Sequence, residues 1–210
     1  IPFLHSNKVT LLENGQETYK SIRNGIAQAQ SYILFQFYIL RPDTIGNTFK
    51  EELIQKAKEG LAVYVLYDEL GTKDLSKEWL ADFQDAGIQI LPFNTRQGIN
   101  NAFQLNFRNH RKIVVVDGKE AWLGGLNVGD DYLGKDRKLT PWRDTHVRIV
   151  GPAALAAQAT FFLDWHWASR NLLEELDWEA QSAPEGDESV LILASGPAGE
   201  QETASLFFTN

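Results

Sequence analysis

His110-Arg111-Lys112-Ile113-Val114-Val115-Val116-Asp117-Gly118-Lys119-Glu120-Ala121-Trp122-Leu123-Gly124-Gly125-Leu126-Asn127 is the stretch from which the rest of the chain can be read. Arg111–Asp117 and Glu120–Leu123 read as two strands joined by a turn at Gly118. Side chains alternate along a strand, so His110 and Lys112 point the same way. Val114 and Val116 carry that face into the core, which leaves the polar pair at the strand's end. Gly124-Gly125 lets the chain turn closely and expose backbone N–H groups, and Asn127 adds an amide at the same mouth. An imidazole, an ammonium, an amide and backbone donors around one small space suit a phosphodiester. The imidazole serves as nucleophile or as general acid and base. Lys112 and Asn127 stabilise charge on the non-bridging oxygens as the transition state forms.

Outward from this stretch, strand and helix signals alternate. Lys8–Leu12 reads as a strand. Gln16–Gln30 reads as a helix, with Tyr19, Ile22, Ile26 and Ala29 on one face. Tyr32–Leu40 is a buried strand ending at a turn, and Phe49, Leu53, Ile54 and Ala57 mark a helix stopped by Gly60. Leu61–Tyr67 is an internal strand. Leu75, Trp79, Leu80, Phe83 and Ala86 mark a third helix ended by Gly87, and Ile88–Leu91 follows as a strand. Pro92 to Asn109 has no period and reads as a long loop. Thr145, Val147 and Ile149 alternate with Asp144, His146 and Arg148, a strand with one polar face. Pro152–Ser169 is a helix with proline in its first turn. Val190–Leu193 is one more short strand. The expected fold class is α/β, with a mixed central sheet flanked on both faces by helices.

The 210 residues carry 43% apolar and 23% charged side chains, enough for a sizeable core. No apolar run approaches the roughly 20 residues of a membrane-spanning helix. With no cysteine, disulfides, thiolate catalysis and Cys-based zinc sites are excluded. The start at Ile1-Pro2 and the apolar Ser205–Phe208 at the far end read as the edges of a fragment. The net charge of −8 is uneven: nine acids lie beyond Asn171, leaving 19 acids against 20 bases in residues 1–170. The body is near neutral and lacks a basic nucleic-acid footprint, so no nucleic acid partner is expected.

The pattern His-x-Lys, four residues, Asp, six residues, Gly-Gly-x-Asn resembles the signature of the phospholipase D superfamily. Six fixed positions recur by chance at roughly 10⁻⁸ per start. Asn7-Lys8-Val9, Tyr38-Ile39, Leu66-Tyr67-Asp68, Asn109–Lys112, Arg143-Asp144 and Ser195-Gly196-Pro197 are further similar to the N-terminal half of bacterial cardiolipin synthases. The resemblance implies a phospholipase D-like α/β/α sandwich. Residues 1–170 would be the catalytic domain, 171–188 an acidic connector, and 189–210 the start of a second, mostly absent half.

The same resemblance implies the roles. His110 is the nucleophile, through a phospho-histidine. Lys112 and Asn127 hold the phosphate, with Gly124, Gly125 and Arg111 beside it. Asp117 belongs to the motif but mainly braces the strand pair. Asp144 orients the histidine, or else pairs with Arg143 or Arg148 on the surface. Many members carry serine where Gly125 stands, so this site relies on backbone N–H instead. No cofactor and no metal are implied. The family needs a second facing histidine, and His5, His146 and His166 each lack lysine two residues on. The partner would come from a second half in the same chain or from a second copy.

Other residues carry two readings. His146 shares a face with Asp144 and either lines the pocket or is a hydrogen-bonded structural histidine. His166 sits in the aromatic Phe161–Trp167 run, which packs as core or touches lipid. Asp68 ends a strand where α/β folds place ligands, or caps the next turn. Pro92 to Val116 holds Arg96, Arg108, Arg111 and Lys112 and no acid, a positive mouth for an anionic headgroup. Its Ile99, Phe103, Leu105 and Phe107 would dip into a membrane surface, or else the charge cluster is a solvated face. The expected activity is condensation of two phosphatidylglycerols to cardiolipin and glycerol at the bacterial cell membrane, peripherally in this fragment. The rivals are another phospholipase D-type hydrolase or nuclease, and an inactive binding half.

Overall fold

The computed structural model describes residues 2–93, 109–135 and 140–195. Most of the long loop expected after Pro92, with Arg96, Ile99, Phe103, Leu105, Phe107 and Arg108, lies outside the described residues. So do Gly196, Pro197 and the Ser205–Phe208 element.

The chain order is β1 (Leu4–Glu13), α1 (Asn14–Gln28), β2 (Tyr32–Phe37), α2 (Thr44–Lys58), β3 (Ala62–Asp68), α3 (Lys77–Asp85), β4 (Gln89–Phe93), β5 (Ile113–Val116), β6 (Glu120–Gly124), β7 (Thr145–Val150), α4 (Ala153–Ser169) and β8 (Glu188–Val190). A short 3₁₀ turn, Asp130–Leu133, precedes β7. One eight-stranded sheet runs β4-β3-β2-β5-β6-β7-β1-β8. β2, β3 and β4 are parallel, and every pairing from β2–β5 onward is antiparallel. The sheet is therefore mixed, as the sequence predicts.

The period-2 pattern divides the core into two layers. Ile33, Phe35, Phe37, Val63, Val65, Val114, Val116 and Trp122 face α1, α2 and α3. Leu34, Tyr64, Leu66, Ile113, Val115 and Ala121 face α4 through Ala154, Ala157, Phe161 and Trp165. β2 and β5, adjacent near the middle of the sheet, are buried along their whole length. Near-continuous apolar sequence is what a strand covered on both faces requires.

α2 opens on Asp43, whose side chain accepts from Gly46 N–H, and α3 on Ser76, which accepts from Trp79 N–H. The edges fall a few residues from the periodicity, as at β8, expected at Val190–Leu193 and found at Glu188–Val190. β8 pairs with β1 in the same sheet. The acidic segment before it packs back on the body: Leu173, Leu176 and Ala183 are buried, and the Asp177 carbonyl accepts from Tyr32 Oη and Gln158 Nε2.

The turn between β5 and β6 explains Asp117. Asp117 and Gly118 both have left-handed φ, +53° and +66°, and Lys119 N–H donates to the Val116 carbonyl. Asp-Gly is the pair that such a twisted two-residue hairpin selects. The Asp117 carboxylate then accepts three backbone N–H groups, from Gln30, Ser31 and Tyr32, at 2.8–3.0 Å. It ties the hairpin to the entry of β2, at the end of β5 opposite His110. Asp117, grouped with the catalytic residues in the motif, has its oxygens occupied by backbone donors at the end of β5 away from His110.

Asp117→Asn keeps the tolerance for positive φ but loses charge-assisted acceptance of these donors. It is expected to cost about 1–3 kcal/mol, and Asp117→Ala more. Urea unfolding followed by tryptophan fluorescence measures this; a change within about 0.5 kcal/mol for both variants would contradict the bracing role.

Candidate active site

The amino ends of β5 and β7 meet the carboxyl ends of β2, β3 and β6 at one end of the sheet. Ile113 lies opposite Leu123, and Gly124 lies opposite His146. Continued by one residue, this register sets Lys112, Gly124 and His146 in a row across three strands. The absent side chain of the middle residue leaves the gap between the two basic groups.

His110 is exposed, and its ring lies flat on Tyr38, with centroids 3.9 Å apart and planes 15° from parallel. Lys112 Nζ donates to the His110 carbonyl and stands 5.5 Å from the centre of the same tyrosine ring. Partial burial pulls the Lys112 pKa below its ordinary value, and the Asp144 carboxylate opposes that fall. The ammonium is thus sheltered but kept charged by a facing acid.

Asn127 is buried between two segments. Its Oδ1 accepts from Ile39 N–H at 2.9 Å, and its Nδ2 donates to Tyr132 Oη at 2.9 Å. The Tyr19 hydroxyl donates to its backbone carbonyl. The amide nitrogen carries two protons and Tyr132 takes one.

The glycine pair is required for room. A Cβ on Gly124 would sit 2.4 Å from His146 Nδ1, and one on Gly125 would sit 2.2 Å from Asp144 Oδ1. A serine at the second position does not fit here while Asp144 keeps its place. The donors expected from this turn are committed internally: Gly125 N–H donates to the Thr145 carbonyl, and Leu126 N–H to His146 Nδ1 at 3.4 Å.

Asp144 is half-buried. Its Oδ1 accepts from Thr145 N–H at 2.7 Å, and Trp142 Nε1 approaches Oδ2 at 3.4 Å. Its backbone is pinned to the start of α1, where Asn14 N–H donates to its carbonyl. Its negative charge lies among Lys112, His146 and Tyr132.

His146 is only 1% exposed, so the polar face expected on β7 turns inward. Because Nδ1 accepts, the neutral ring carries its proton on Nε2, which is buried without a hydrogen-bond partner among the described residues. Burial pushes its pKa down from 6.5 to about 4; Asp144 raises it and Lys112 lowers it. His146 is neutral at pH 7.

Arg111 is separated from this group. Alternation sends it to the opposite face, where Nη1 pairs with Asp164 of α4 and Nη2 donates to the Ser195 carbonyl at 3.1 Å. Arg111, expected beside the phosphate, is engaged instead by Asp164 and the Ser195 carbonyl. Asp164 Oδ2 also accepts from Gln36 Nε2 and Asn109 Nδ2 at 2.7 and 2.8 Å. Asp68 accepts from Leu70 and Gly71 N–H through Oδ1, and from Asn109 N–H at 3.0 Å through Oδ2. It caps the turn and also fixes the residue before His110.

Sequence reasoning missed Tyr38 as part of the site and Asn109 and Asp164 as supports of the segment before it. The available signal for Asp164 was a single acid within the apolar face of a helix, where an unpaired carboxylate is costly. The remaining histidines lie elsewhere: His5 bonds Ser189 Oγ at the sheet edge, and His166 on α4 faces the Asn171 carbonyl. No group of three metal-ligating side chains is gathered among the described residues.

The family model described as "Cardiolipin synthase, PLD-like domain" matches residues 22–161. The chain is 48% identical over 208 residues to cardiolipin synthase A of Pseudomonas putida strain GB-1, covering 99% of this chain and 43% of that protein. It is 47% identical over 210 residues to cardiolipin synthase A of Pseudomonas syringae pv. syringae strain B728a, with the same coverage. The chain thus spans less than half the length of these curated relatives. Its fold is similar to phosphatidylserine synthase of Haemophilus influenzae Rd KW20, with a TM-score of 0.60 and 19% identity over 76% of this chain and 37% of that one. It is also similar to Nuc, a phospholipase D family member from Salmonella typhimurium, with a TM-score of 0.56 and 17% identity over 77% of this chain and 96% of that one. At these identities the solved structures bear on fold alone: a phospholipase D-like α/β/α sandwich.

Two outcomes follow from the packing. Gly125→Ser displaces the Asp144 carboxylate and is expected to lower turnover about 10- to 100-fold in the complete protein; unchanged turnover would remove Asp144 from the site. His146 binds its proton in the unfolded chain before it does in the folded one. Its contribution to stability, about 3 kcal/mol, is therefore present above pH 6.5 and lost as pH falls from 6.5 toward about 4. His146→Gln should flatten the stability profile across that window in urea titrations at stepped pH.

Proposed function

The chain belongs to the cardiolipin synthase, phospholipase D-like domain family, and from that premise we propose that it supplies one half-site of a phosphatidyltransferase that condenses two phosphatidylglycerols to cardiolipin and glycerol. The observation that supports this most is the grouping of His110, Lys112 and Asp144 at one sheet end, in a chain alike along 99% of its length to cardiolipin synthase A.

On this reading His110 attacks the phosphorus of one phosphatidylglycerol through a ring nitrogen. The phosphorus–oxygen bond to the headgroup glycerol breaks, and the glycerol takes a proton from a general acid. The phospho-histidine is then attacked by a headgroup hydroxyl of the second phosphatidylglycerol, whose proton goes to the same group. Each step is an ordinary displacement, and two inversions preserve configuration at phosphorus. Lys112 places a fixed positive charge beside the non-bridging oxygens. Asn127 offers the amide proton that Tyr132 does not take. Asp144 holds Lys112 charged and orients His110.

His146 is an unsuitable general acid, since with a pKa of about 4 it lacks at pH 7 the second, acidic proton of an imidazolium. The acid is assigned instead to a second histidine motif, in a further half of the same protein or in a second copy. No helix among the described residues is long and apolar enough to cross a membrane. Contact with the bilayer surface is therefore proposed to be peripheral for this segment.

The test incubates the chain with phosphatidylglycerol in mixed micelles over a range of protein concentrations, with products identified by mass spectrometry. Cardiolipin and glycerol rising faster than linearly with protein are expected if two copies complete the site. In the complete protein, His110→Ala should reduce cardiolipin formation by about 10³-fold or more. Phosphatidic acid as the dominant product would replace the transferase with a hydrolase, and activity untouched by His110→Ala would end the nucleophile assignment.

A further inference from the structure

Beside the charged groups, the imidazole of His110 has an aromatic neighbour. Tyr38 covers one face of the ring at 3.9 Å, almost parallel. A stack of this kind fixes the plane of the smaller ring. Both members of the stack are held from beneath by one carboxylate. Asp68 Oδ1 accepts from Leu70 and Gly71 N–H, and Gly71 lies so close under Tyr38 that a Cβ there would meet the Tyr38 carbonyl oxygen at 2.1 Å and its Cδ2 at 3.2 Å. The other oxygen, Oδ2, accepts from Asn109 N–H, the residue before His110. Asp68 is 2% exposed, so this support is shielded from water. On the far side of Tyr38, Ile39 N–H holds the Asn127 amide. A single short segment thus positions the imidazole through its ring and the amide through its backbone.

We propose that Tyr38 is a positioning residue for His110: its ring face holds the imidazole in the attacking plane and stabilises the cationic ring that phosphorylation creates. This rests on the reading of His110 as the nucleophile. When one ring nitrogen bonds to phosphorus, the headgroup alkoxide leaves with a proton from the general acid. The other ring nitrogen keeps its own proton, so the imidazole becomes an N-phosphoryl imidazolium. A positive ring parallel to the electron-rich face of tyrosine is attracted by the ring quadrupole, and more strongly when partly desolvated. The uncharged imidazole before attack gains much less, so the contact favours formation of the intermediate over binding of substrate. Lys112 Nζ, 5.5 Å from the centre of the same tyrosine ring, already places one cation against these π electrons.

The experiment uses the complete protein with short-chain phosphatidylglycerol, rapid quench, and mass spectrometry of the phosphorylated His110 peptide. Tyr38→Leu is expected to slow phospho-histidine formation about 10- to 100-fold, with KM within about twofold. Tyr38→Phe should stay within about threefold of the native rate, because the ring face is retained. Fluorinated phenylalanines at position 38 are nearly isosteric, and each added fluorine should slow the step further by weakening the quadrupole. This series also decides the matter if Tyr38→Leu fails to fold. A Tyr38→Leu rate within about twofold of native, or a flat fluorine series, would overturn the proposal. Absence of any phospho-histidine in the native protein would overturn the nucleophile reading as well. A phospho-histidine indifferent to position 38 would overturn only the role of Tyr38.

Discussion

The antiparallel pairing of β5 with β2 is the joint on which the molecule turns. On one side lie the parallel strands β2, β3 and β4, and on the other a run of antiparallel strands. β5 is four residues long and buried throughout, so its register cannot slip without moving apolar side chains to the wrong layer. That register carries His110 and Lys112 to one end and Asp117 to the other. A one-residue slip would exchange the faces of Arg111 and Lys112, sending the ammonium to α4 and the guanidinium into the site.

Hydrophobic burial alone would leave both ends of so short a strand frayed. Carboxylates secure them. Asp117 gathers three backbone N–H groups at the hairpin end. At the site end, Asp68 and Asp164 hold Asn109 from two directions, and Asp164 also pairs with Arg111. Each of the three is less than 10% exposed, so removal of a partner leaves a charge or a donor that water does not easily reach. The arrangement keeps rigid what must be rigid, since the exposed His110 has polar-locked neighbours on both sides, the buried Asn109 and the half-buried Arg111.

The strands and helices were legible because each face repeats with the right period. The turn at Asp117-Gly118 was legible because few dipeptides adopt two left-handed conformations together. The grouping of His110 with Lys112 followed from strand alternation. What alternation also implied, that Arg111 faces the other layer, was overridden by its charge and by its place inside the motif. The role of Gly124 and Gly125 was half legible. Glycine announced close approach, but the approaching groups, His146 and Asp144, come from a strand about twenty residues on, and nothing local names them. His146 was ambiguous for the same reason, because whether an alternating polar face points to solvent or to a helix layer depends on sheet order. Tyr38 was hidden by its neighbours. In an aromatic strand such as Tyr32–Leu40, one more ring reads as core.

The site's charges also bear on which proton transfers it can perform. Lys112 and Asp144 oppose each other's effect on the His146 pKa, and burial decides the outcome in favour of the neutral ring. A neutral His146 adds no positive charge to compete with Lys112 for a phosphate oxygen, and its Nδ1 is occupied by Leu126 N–H. It therefore shapes the glycine turn and leaves proton transfer to others. On the proposed route His110, the exposed imidazole at this end of the sheet, is occupied by the phosphoryl group during the very step in which the leaving alcohol needs a proton. One histidine cannot be nucleophile and acid at the same instant, and His5 and His166 are held by Ser189 and Asn171 in other parts of the fold. On that route a nucleophilic half-site built on His110 needs a second histidine facing it.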